Sequence, residues 1–197
     1  MPKIVDHDQY RKELLMKSFD LFAQKGYSST TMRQLAQGLG VSTGTLYHYF
    51  SSKEALFCQL VQEQTQQDIM HFLAEAGNPP TLQERIDIVF KFVAKNEDYF
   101  LKQCLLWIEF CQQQNWNKDL YSQVLKQADE QTMQAIADYL RLTDTSVDFV
   151  FNLIHGLLLR RLYGDETVSY KEQGAMLGKM LSAFIEHQPV LTDELHK

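Results

Sequence analysis

The segment from Gly26 to Glu54 constrains the fold of this chain more than any other, because it contains signals for two short helices separated by a glycine turn. Thr30 or Thr31 can cap the first short helix, and Gly38-Leu39-Gly40 provides the turn that ends it. Ser42 is a suitable N-cap for the second. Two short helices joined in this way predict a helix-turn-helix, the motif that lays one helix in the major groove of DNA.

Apolar residues recur at helical spacing along the rest of the chain, and no sustained alternation of apolar and polar residues indicates a strand. This pattern predicts an all-α fold of about nine helices. The first helix should run from about Asp8 to Lys25 and end at Gly26 in the left-handed conformation. The fourth helix is expected to begin at Ser51 or Ser52 and to end near 76. The next three should cover about 82–95, 98–113 and 118–141, with an interruption at Asn115 to Asn117. The eighth should begin at Thr145 or Ser146, and the ninth should cover about 169–187.

No repeat, low-complexity tract or flexible linker divides the chain. We therefore predict a helix-turn-helix domain over 1–54 and a larger all-helical domain over 55–197, which the fourth helix joins directly.

The balance of charge differs between the two ends of the chain. The formal net charge of −6 argues by itself against a nucleic-acid partner. Residues 1–57, however, contain seven lysines and arginines against five aspartates and glutamates, which leaves them at +2 and the remainder at −8. A mildly basic end on an acidic body suits a protein of which one end meets phosphates.

Composition and the absence of known motifs exclude several other classes. With 45% hydrophobic and 22% charged residues, the chain is typical of globular proteins rather than disordered ones. No export signal or bilayer-spanning run is present, so we expect a cytoplasmic location and no membrane partner. The sequence contains no HExxH, CxxC, GxSxG or phosphate-binding glycine loop, so we expect no enzyme, no catalytic residue and no cofactor.

The three cysteines, Cys58, Cys104 and Cys111, have neither metal-type spacing nor an even number, so we expect no metal site. Core packing is the preferred interpretation of all three. A redox role for Cys104 and Cys111, which are seven residues apart, is the alternative.

The second short helix carries outward residues with the chemistry of DNA contacts. Gly44 permits a close approach of the backbone to another surface. Thr45 and Tyr47 offer hydroxyl groups to phosphate oxygens, and His48 can touch base edges or thymine methyl groups.

Two basic residues flank this helix. Arg33 could donate two hydrogen bonds to a guanine. Lys53 should lie over the DNA backbone together with the free amides of a helix N-terminus. Leu46 and Phe50 are spaced to face inward. An aromatic core stripe is the alternative interpretation of Tyr47, Tyr49 and Phe50, and we prefer it for Phe50.

These residues together resemble the TetR/AcrR family of bacterial transcriptional regulators. The resemblance covers about 50 residues and is absent beyond about residue 60. The matching residues are Phe22, Gly26, Thr30, Thr31, Arg33, Leu35, Ala36, Gly40, Val41, Ser42, Gly44, Thr45, Leu46, Tyr47, Tyr49, Phe50, Lys53, Glu54 and Leu56.

The resemblance implies a three-helix DNA-binding domain followed by an all-α domain that dimerises and binds a small molecule. His48 lies where the family varies and is expected to help set operator preference. The residues that the resemblance assigns to the DNA surface are Thr31, Arg33, Thr43, Gly44, Thr45, Tyr47, His48, Tyr49 and Lys53.

The last two helices are the expected dimer interface, because the first of them is apolar on more than one side and the second carries an apolar stripe with small residues. Two such helices from each subunit would form a four-helix bundle about a two-fold axis. The alternative is that both stripes belong to the core of one chain. The residues expected in the interface are Phe151, Ile154, Leu158, Leu177, Leu181 and Phe184.

Candidates for a ligand pocket are large apolar residues with few polar groups among them, which favours a neutral or amphipathic hydrophobic effector. Core packing is the better explanation of each candidate taken alone. The candidates are Phe72, Phe90, Trp107, Phe110, Cys111, Tyr121, Met133, Phe149 and His155.

The sequence thus predicts a ligand-responsive regulator, in particular a repressor, that binds duplex DNA at a palindromic operator as a homodimer and is released by a small hydrophobic effector. The alternative is a DNA-binding structural or scaffolding protein with the same N-terminal motif and no effector.

Overall fold

Nine helices and no strand lie within residues 6–114 and 120–187, the ranges that the computed structural model describes, with the side chains of residues 120–122 and 144 excepted. The all-α prediction is confirmed. The helices are α1 (His7–Lys25), α2 (Met32–Leu39), α3 (Thr43–Tyr49), α4 (Lys53–Ala76), α5 (Leu82–Lys95), α6 (Glu97–Gln113), α7 (Leu120–Leu140), α8 (Asp144–Leu162) and α9 (Tyr170–Glu186). In these ranges no helix is long and apolar enough to cross a bilayer.

The helix-turn-helix begins and ends with local interactions that the sequence predicts. The Thr31 hydroxyl caps α2 in a reciprocal capping box with Gln34. Gly40 ends α2 in the left-handed conformation, with φ 70° and ψ 27°. The Ser42 hydroxyl then accepts a hydrogen bond from the Thr45 amide at 2.9 Å and starts α3.

Two helix ends differ from the expectation. Gly26 has φ 82° but ψ 152°, so it is extended with positive φ rather than left-handed helical. The α8 helix follows Thr143, slightly before the predicted start, and no side-chain hydrogen bond caps it. The interruption expected at Asn115 to Asn117 falls outside the described residues.

The chain packs into two compact units, and the first comprises Met1–Glu75 and Asp98–Ala135. Its described core joins α1 to α4 with α6 and α7. At its centre lies an aromatic cluster formed by Phe22, Tyr27, Phe57 and Phe110, all fully or almost fully buried. The rings that touch have centroids 4.8–5.7 Å apart. This unit is larger than 1–54, and the predicted domain boundary after residue 54 stays a prediction.

The second unit comprises Ala76–Glu97 and Ile136–Lys197, and α5 packs along α9 within it. Gly174 and Gly178 of α9 face α5 closely, opposite Phe90 and Gln83. The buried Arg85 side chain links the loop before α5 to the end of α7, because it donates to the carbonyl groups of residues 79, 80 and 140 at 3.1–3.2 Å. These carbonyl groups are thereby hydrogen-bonded rather than left unpaired in the interior.

Alanine substitutions at the two close-approach glycines should have different effects on stability. A Cβ at Gly174 would lie 2.8 Å from Cγ of the buried Phe90 ring, which cannot turn away, so we expect Gly174→Ala to destabilise by about 1–3 kcal/mol. A Cβ at Gly178 would meet only the end of the flexible Gln83 side chain. Gly178→Ala should therefore be neutral or stabilise by up to about 1 kcal/mol through helix propensity.

Urea unfolding of the two variants beside the wild-type chain measures this difference. Equal midpoints for Gly174→Ala and Gly178→Ala would show that α9 packs on α5 loosely enough to accept a methyl group at position 174.

Candidate nucleic-acid interface

The outer surface of α2 and α3 carries most of the residues expected to touch DNA. Leu46 and Phe50 are fully buried and fix α3 from its inner side, as their spacing predicts. Tyr47 is 51% exposed and so is not part of an aromatic core stripe. The exposed members of the expected DNA surface are Thr31, Arg33, Thr43, Gly44, Tyr47 and His48.

Two threonines of the expected DNA surface use their hydroxyl groups within the chain. The Thr31 hydroxyl accepts from the Gln34 amide at 3.3 Å and lies 3.0 Å from the Gln34 side-chain oxygen. The Thr45 hydroxyl is half-buried and lies 2.8 Å from the Ser42 hydroxyl. These interactions order the start of each helix, so the backbone amides at these starts are fixed in position.

Tyr49 is half-buried and connects the end of α3 to the start of α1. Its hydroxyl group lies 2.8 Å from Nδ1 of His7, and its ring meets the Tyr10 ring edge-on at 5.7 Å. The sequence gives no sign of this role for His7, because the two residues are 42 positions apart. Tyr49 therefore has a structural role in holding α3 against α1.

Lys53 lies at the first position of α4, and its ammonium group is partly engaged inside the protein. Nζ donates to the Tyr27 carbonyl oxygen at 2.9 Å and lies 4.2 Å from the centroid of the Tyr27 ring. Burial lowers the pKa of Lys53, whereas the charges of Glu54 and Glu109 oppose that shift. An ammonium group has three hydrogens, so one hydrogen bond to Tyr27 leaves others for a phosphate.

Comparison with known proteins identifies this arrangement. Residues 14–60 match the model of the bacterial regulatory proteins of the tetR family. The chain thus contains the N-terminal region of the tetR family. It is 27% identical to the HTH-type transcriptional regulator PksA of Bacillus subtilis over 124 residues, which cover 61% of this chain and 59% of PksA. It is 42% identical to the transcriptional repressor KstR2 of Mycobacterium tuberculosis over 52 residues, 26% of each chain.

The chain thus spans less than two thirds of the length of these curated relatives. The fold is shared more widely than the sequence. The regulator FadR of Bacillus subtilis, solved in complex with stearoyl-CoA, has a TM-score of 0.64 at 16% identity and covers 87% of this chain and 97% of its own. These proteins are named as regulators rather than enzymes, in agreement with the sequence-based expectation.

The residues expected in a ligand pocket are distributed over both units of the chain. Phe110 is part of the aromatic cluster, and Trp107 and Cys111 pack against the same core. In the first unit Phe72 is buried and Met133 half-buried. The Tyr121 side chain lies outside the described residues.

In the second unit Phe90 is buried opposite Gly174, whereas Phe149 and His155 are exposed. The imidazole Nδ1 of His155 lies 3.0 Å from the Phe151 carbonyl oxygen, one turn earlier. The described contacts do not bring the nine candidates into one site, and the pocket remains a prediction.

The residues expected in the dimer interface divide into an inner and an outer set. Ile154, Leu158, Leu177 and Leu181 are buried within the single chain, whereas Phe151 is half-buried and Phe184 is exposed. The exposed large apolar residues of α9 are Met176, Met180, Phe184 and Ile185, and the first three form another stripe at intervals of four.

The three cysteines are free and half-buried. Burial raises the pKa of Cys58 to about 11, with a contribution from Glu54, and burial also raises the pKa of Cys104 and Cys111. Since the thiolate is the reactive form, these shifts favour the core-packing interpretation over the redox one. The described ranges contain no group of His, Cys, Asp or Glu residues suited to a metal ion.

A polar network that sequence reasoning missed lies between α4 and α6 in the first unit. The Tyr99 hydroxyl donates to Oδ2 of Asp68 at 2.9 Å, and the side-chain amide of Gln103 donates to the same oxygen at 3.2 Å. The buried Gln64 side chain donates to the Tyr99 hydroxyl at 3.2 Å. Burial raises the pKa of Asp68 to about 6, although both hydrogen bonds to its carboxylate oppose the shift.

Asp68→Asn should change the dependence of stability on pH. Between about pH 4 and pH 6 the folded chain binds more protons at Asp68 than the unfolded chain does. The contribution of Asp68 to the free energy of unfolding therefore falls as pH rises through that window. Because asparagine cannot titrate, the stability of the variant relative to the wild-type chain should rise from pH 4 to pH 6 and level off above pH 6. Urea unfolding across this range measures the difference, and Asp20→Asn at an exposed site of α1 is the matched control. A difference independent of pH would contradict the assignment.

Arg33→Ala and Tyr47→Ala should each weaken binding to DNA by roughly tenfold, because each removes one exposed side chain from the expected DNA surface. Arg33→Ala should also reduce the slope of binding against salt by about one unit if Arg33 contacts a phosphate rather than a base. Fluorescence anisotropy with a labelled duplex at several salt concentrations measures both quantities.

Lys102→Ala, at an exposed site of α6, is the charge-matched control and should leave affinity unchanged. Unchanged affinity in both Arg33→Ala and Tyr47→Ala, with native circular dichroism, would refute the assignment of this surface to DNA.

Proposed function

We propose that this TetR/AcrR member is a ligand-responsive transcriptional repressor that acts in the cytoplasm, binds a palindromic operator as a homodimer and is released by a small hydrophobic effector. The observation that carries the proposal is the exposed recognition helix α3. It is held by two buried side chains, Leu46 and Phe50, inside the region that matches the tetR family.

The two sides of α3 have different roles in this proposal. Its inner side is fixed by packing, so its outer side can enter a major groove without rearranging the core. Thr43, Gly44, Tyr47 and His48 would meet base edges and phosphates, with Arg33 from α2 beside them. Lys53 would grip the DNA backbone from the start of α4.

A homodimer would present two such helices to the two halves of a palindrome. The two half-sites should then lie about 34–36 Å apart or a multiple of that distance. In support of a dimer, α9 exposes Met176, Met180 and Phe184 along one stripe, and a row of large apolar side chains is better covered than left in water. The proposed interface is this outer stripe with Phe151, because the inner leucines are already buried within the chain.

Met180→Glu should produce monomers, because it places a charge in the middle of the outer stripe, at a site that is 50% exposed in the single chain. Sedimentation velocity measures the mass, and circular dichroism checks that the helices are retained. Leu181→Glu should instead unfold the second unit, since Leu181 is buried there.

Lys171→Glu, at an exposed site of α9, adds a negative charge away from the stripe and should leave the dimer intact. A dimeric Met180→Glu variant would place the interface elsewhere.

The effector is proposed to act through α4 and α6. The α4 helix runs without interruption from Lys53 to Ala76, so movement at its far end would be transmitted to the end that carries Lys53. Such a shift would change the distance between the two recognition helices of a dimer. The apolar character of the candidate residues supports a hydrophobic effector, and one protein of the same fold binds stearoyl-CoA.

Selection of random duplexes for binding to the full chain tests the DNA part of this proposal. A repressor should enrich one inverted repeat, whereas a DNA-binding scaffolding protein, the alternative, should retain many unrelated sequences. Titration of the complex with long-chain acyl compounds then tests release. An inverted repeat that no such compound releases would leave operator binding in place and overturn the hydrophobic effector.

A further inference from the structure

We propose that Glu109 of α6 is a positioning residue for DNA binding: its carboxylate holds the loop between α1 and α2, and through that loop it holds Lys53 at the start of α4. The inference rests on the proposed function, since it concerns the same DNA-binding surface. It assigns a role in that surface to a residue far outside the region that matches the tetR family, which ends at residue 60.

The loop between α1 and α2 is shaped around the Glu109 carboxylate. The Ser28 amide donates to Oε2 of Glu109 at 3.1 Å. A Cβ at Gly26 would lie 2.8 Å from Oε2 and 3.0 Å from Oε1, so only glycine leaves room for the carboxylate there. Gly26 also has φ 82° and ψ 152°, a conformation that other residues rarely adopt. The carboxylate and the loop conformation therefore require each other.

The same loop contacts Lys53 through Tyr27, the residue between the two that meet Glu109. The Tyr27 carbonyl oxygen accepts a hydrogen bond from Nζ of Lys53 at 2.9 Å, and the Tyr27 ring lies below the ammonium group. Tyr27 is fully buried, so its carbonyl group and ring are held in place within the loop. A displacement of the loop would accordingly displace the ammonium group.

Glu109 also acts on Lys53 by its charge. Burial lowers the pKa of Lys53, and the negative charges of Glu54 and then Glu109 counteract that effect. The same negative charge repels DNA phosphates, which approach Lys53 from outside. Glu109 thus has two opposite effects on DNA binding, a favourable one through the hydrogen bond to Ser28 and an unfavourable one through its charge.

Replacing Glu109 with glutamine and with alanine separates these two effects. Glutamine keeps an oxygen that can accept from the Ser28 amide and removes the charge. Alanine removes both the acceptor and the charge. If Glu109 acted only through its charge, the two variants would change affinity alike. If it only filled space, the Ser28 amide would exchange at the wild-type rate in the alanine variant.

The experiment uses the full chain with the duplex obtained by selection, and it measures affinity by anisotropy and the exchange rate of the Ser28 amide by NMR. Glu109→Ala should bind the duplex up to roughly tenfold more weakly than the wild-type chain, and its Ser28 amide should exchange faster. Glu109→Gln should bind at least as tightly as the wild-type chain and keep the slow Ser28 amide. Gln113→Ala, at an exposed site on the same helix, is the control.

Equal affinities of Glu109→Ala and Glu109→Gln would overturn the positioning role, and so would a Ser28 amide that exchanges at the wild-type rate in Glu109→Ala. If the alanine variant fails to fold by circular dichroism, the glutamine variant decides, because loss of affinity in Glu109→Gln contradicts the inference. If the wild-type chain binds no duplex, the proposed function fails and this inference fails with it. Binding by the wild-type chain with equal variants refutes the inference alone.

Discussion

The packing of Tyr27 against Phe57 and Phe110 is the interaction on which the rest of the first unit depends. The ring centroid of Tyr27 lies 4.8 Å from that of Phe57 and 5.1 Å from that of Phe110, and all three side chains are buried. Burial of aromatic rings of this size contributes several kcal/mol to a core. Since Phe110 belongs to α6, the core beneath the helix-turn-helix is complete only when α6 is in place.

This constraint connects α6 directly to the helix-turn-helix and to the proposed DNA surface on it. The α6 helix reaches the loop before α2, and α4 begins beside the same loop with Lys53. A shift of either helix would therefore move an element of the proposed DNA surface, without any need to unfold α2 or α3. The half-buried positions of Tyr49 and Lys53 have the same consequence, because each holds the recognition surface to a neighbouring element.

Local features of the structure were readable from the sequence, whereas contacts between distant residues were not. Capping by Thr31 and Ser42 depends on neighbours three residues away, so the helix starts of the helix-turn-helix could be predicted. The contact of Glu109 with Ser28 joins residues 81 positions apart, and no pattern within one helix predicts it. In α9 apolar residues line two sides, and the period alone does not say whether Leu181 or Met180 faces the core.

Amide hydrogen exchange in a Phe110→Leu variant tests most directly whether α6 completes the core beneath the helix-turn-helix. Leucine keeps an apolar side chain at this site but loses the ring contacts with Tyr27 and Phe57. Exchange should become faster across α2 and α3 as well as in α6, with Ile108→Val at a more exposed site of α6 as the control. Faster exchange confined to α6, with α2 and α3 as protected as in the wild-type chain, would contradict this expectation.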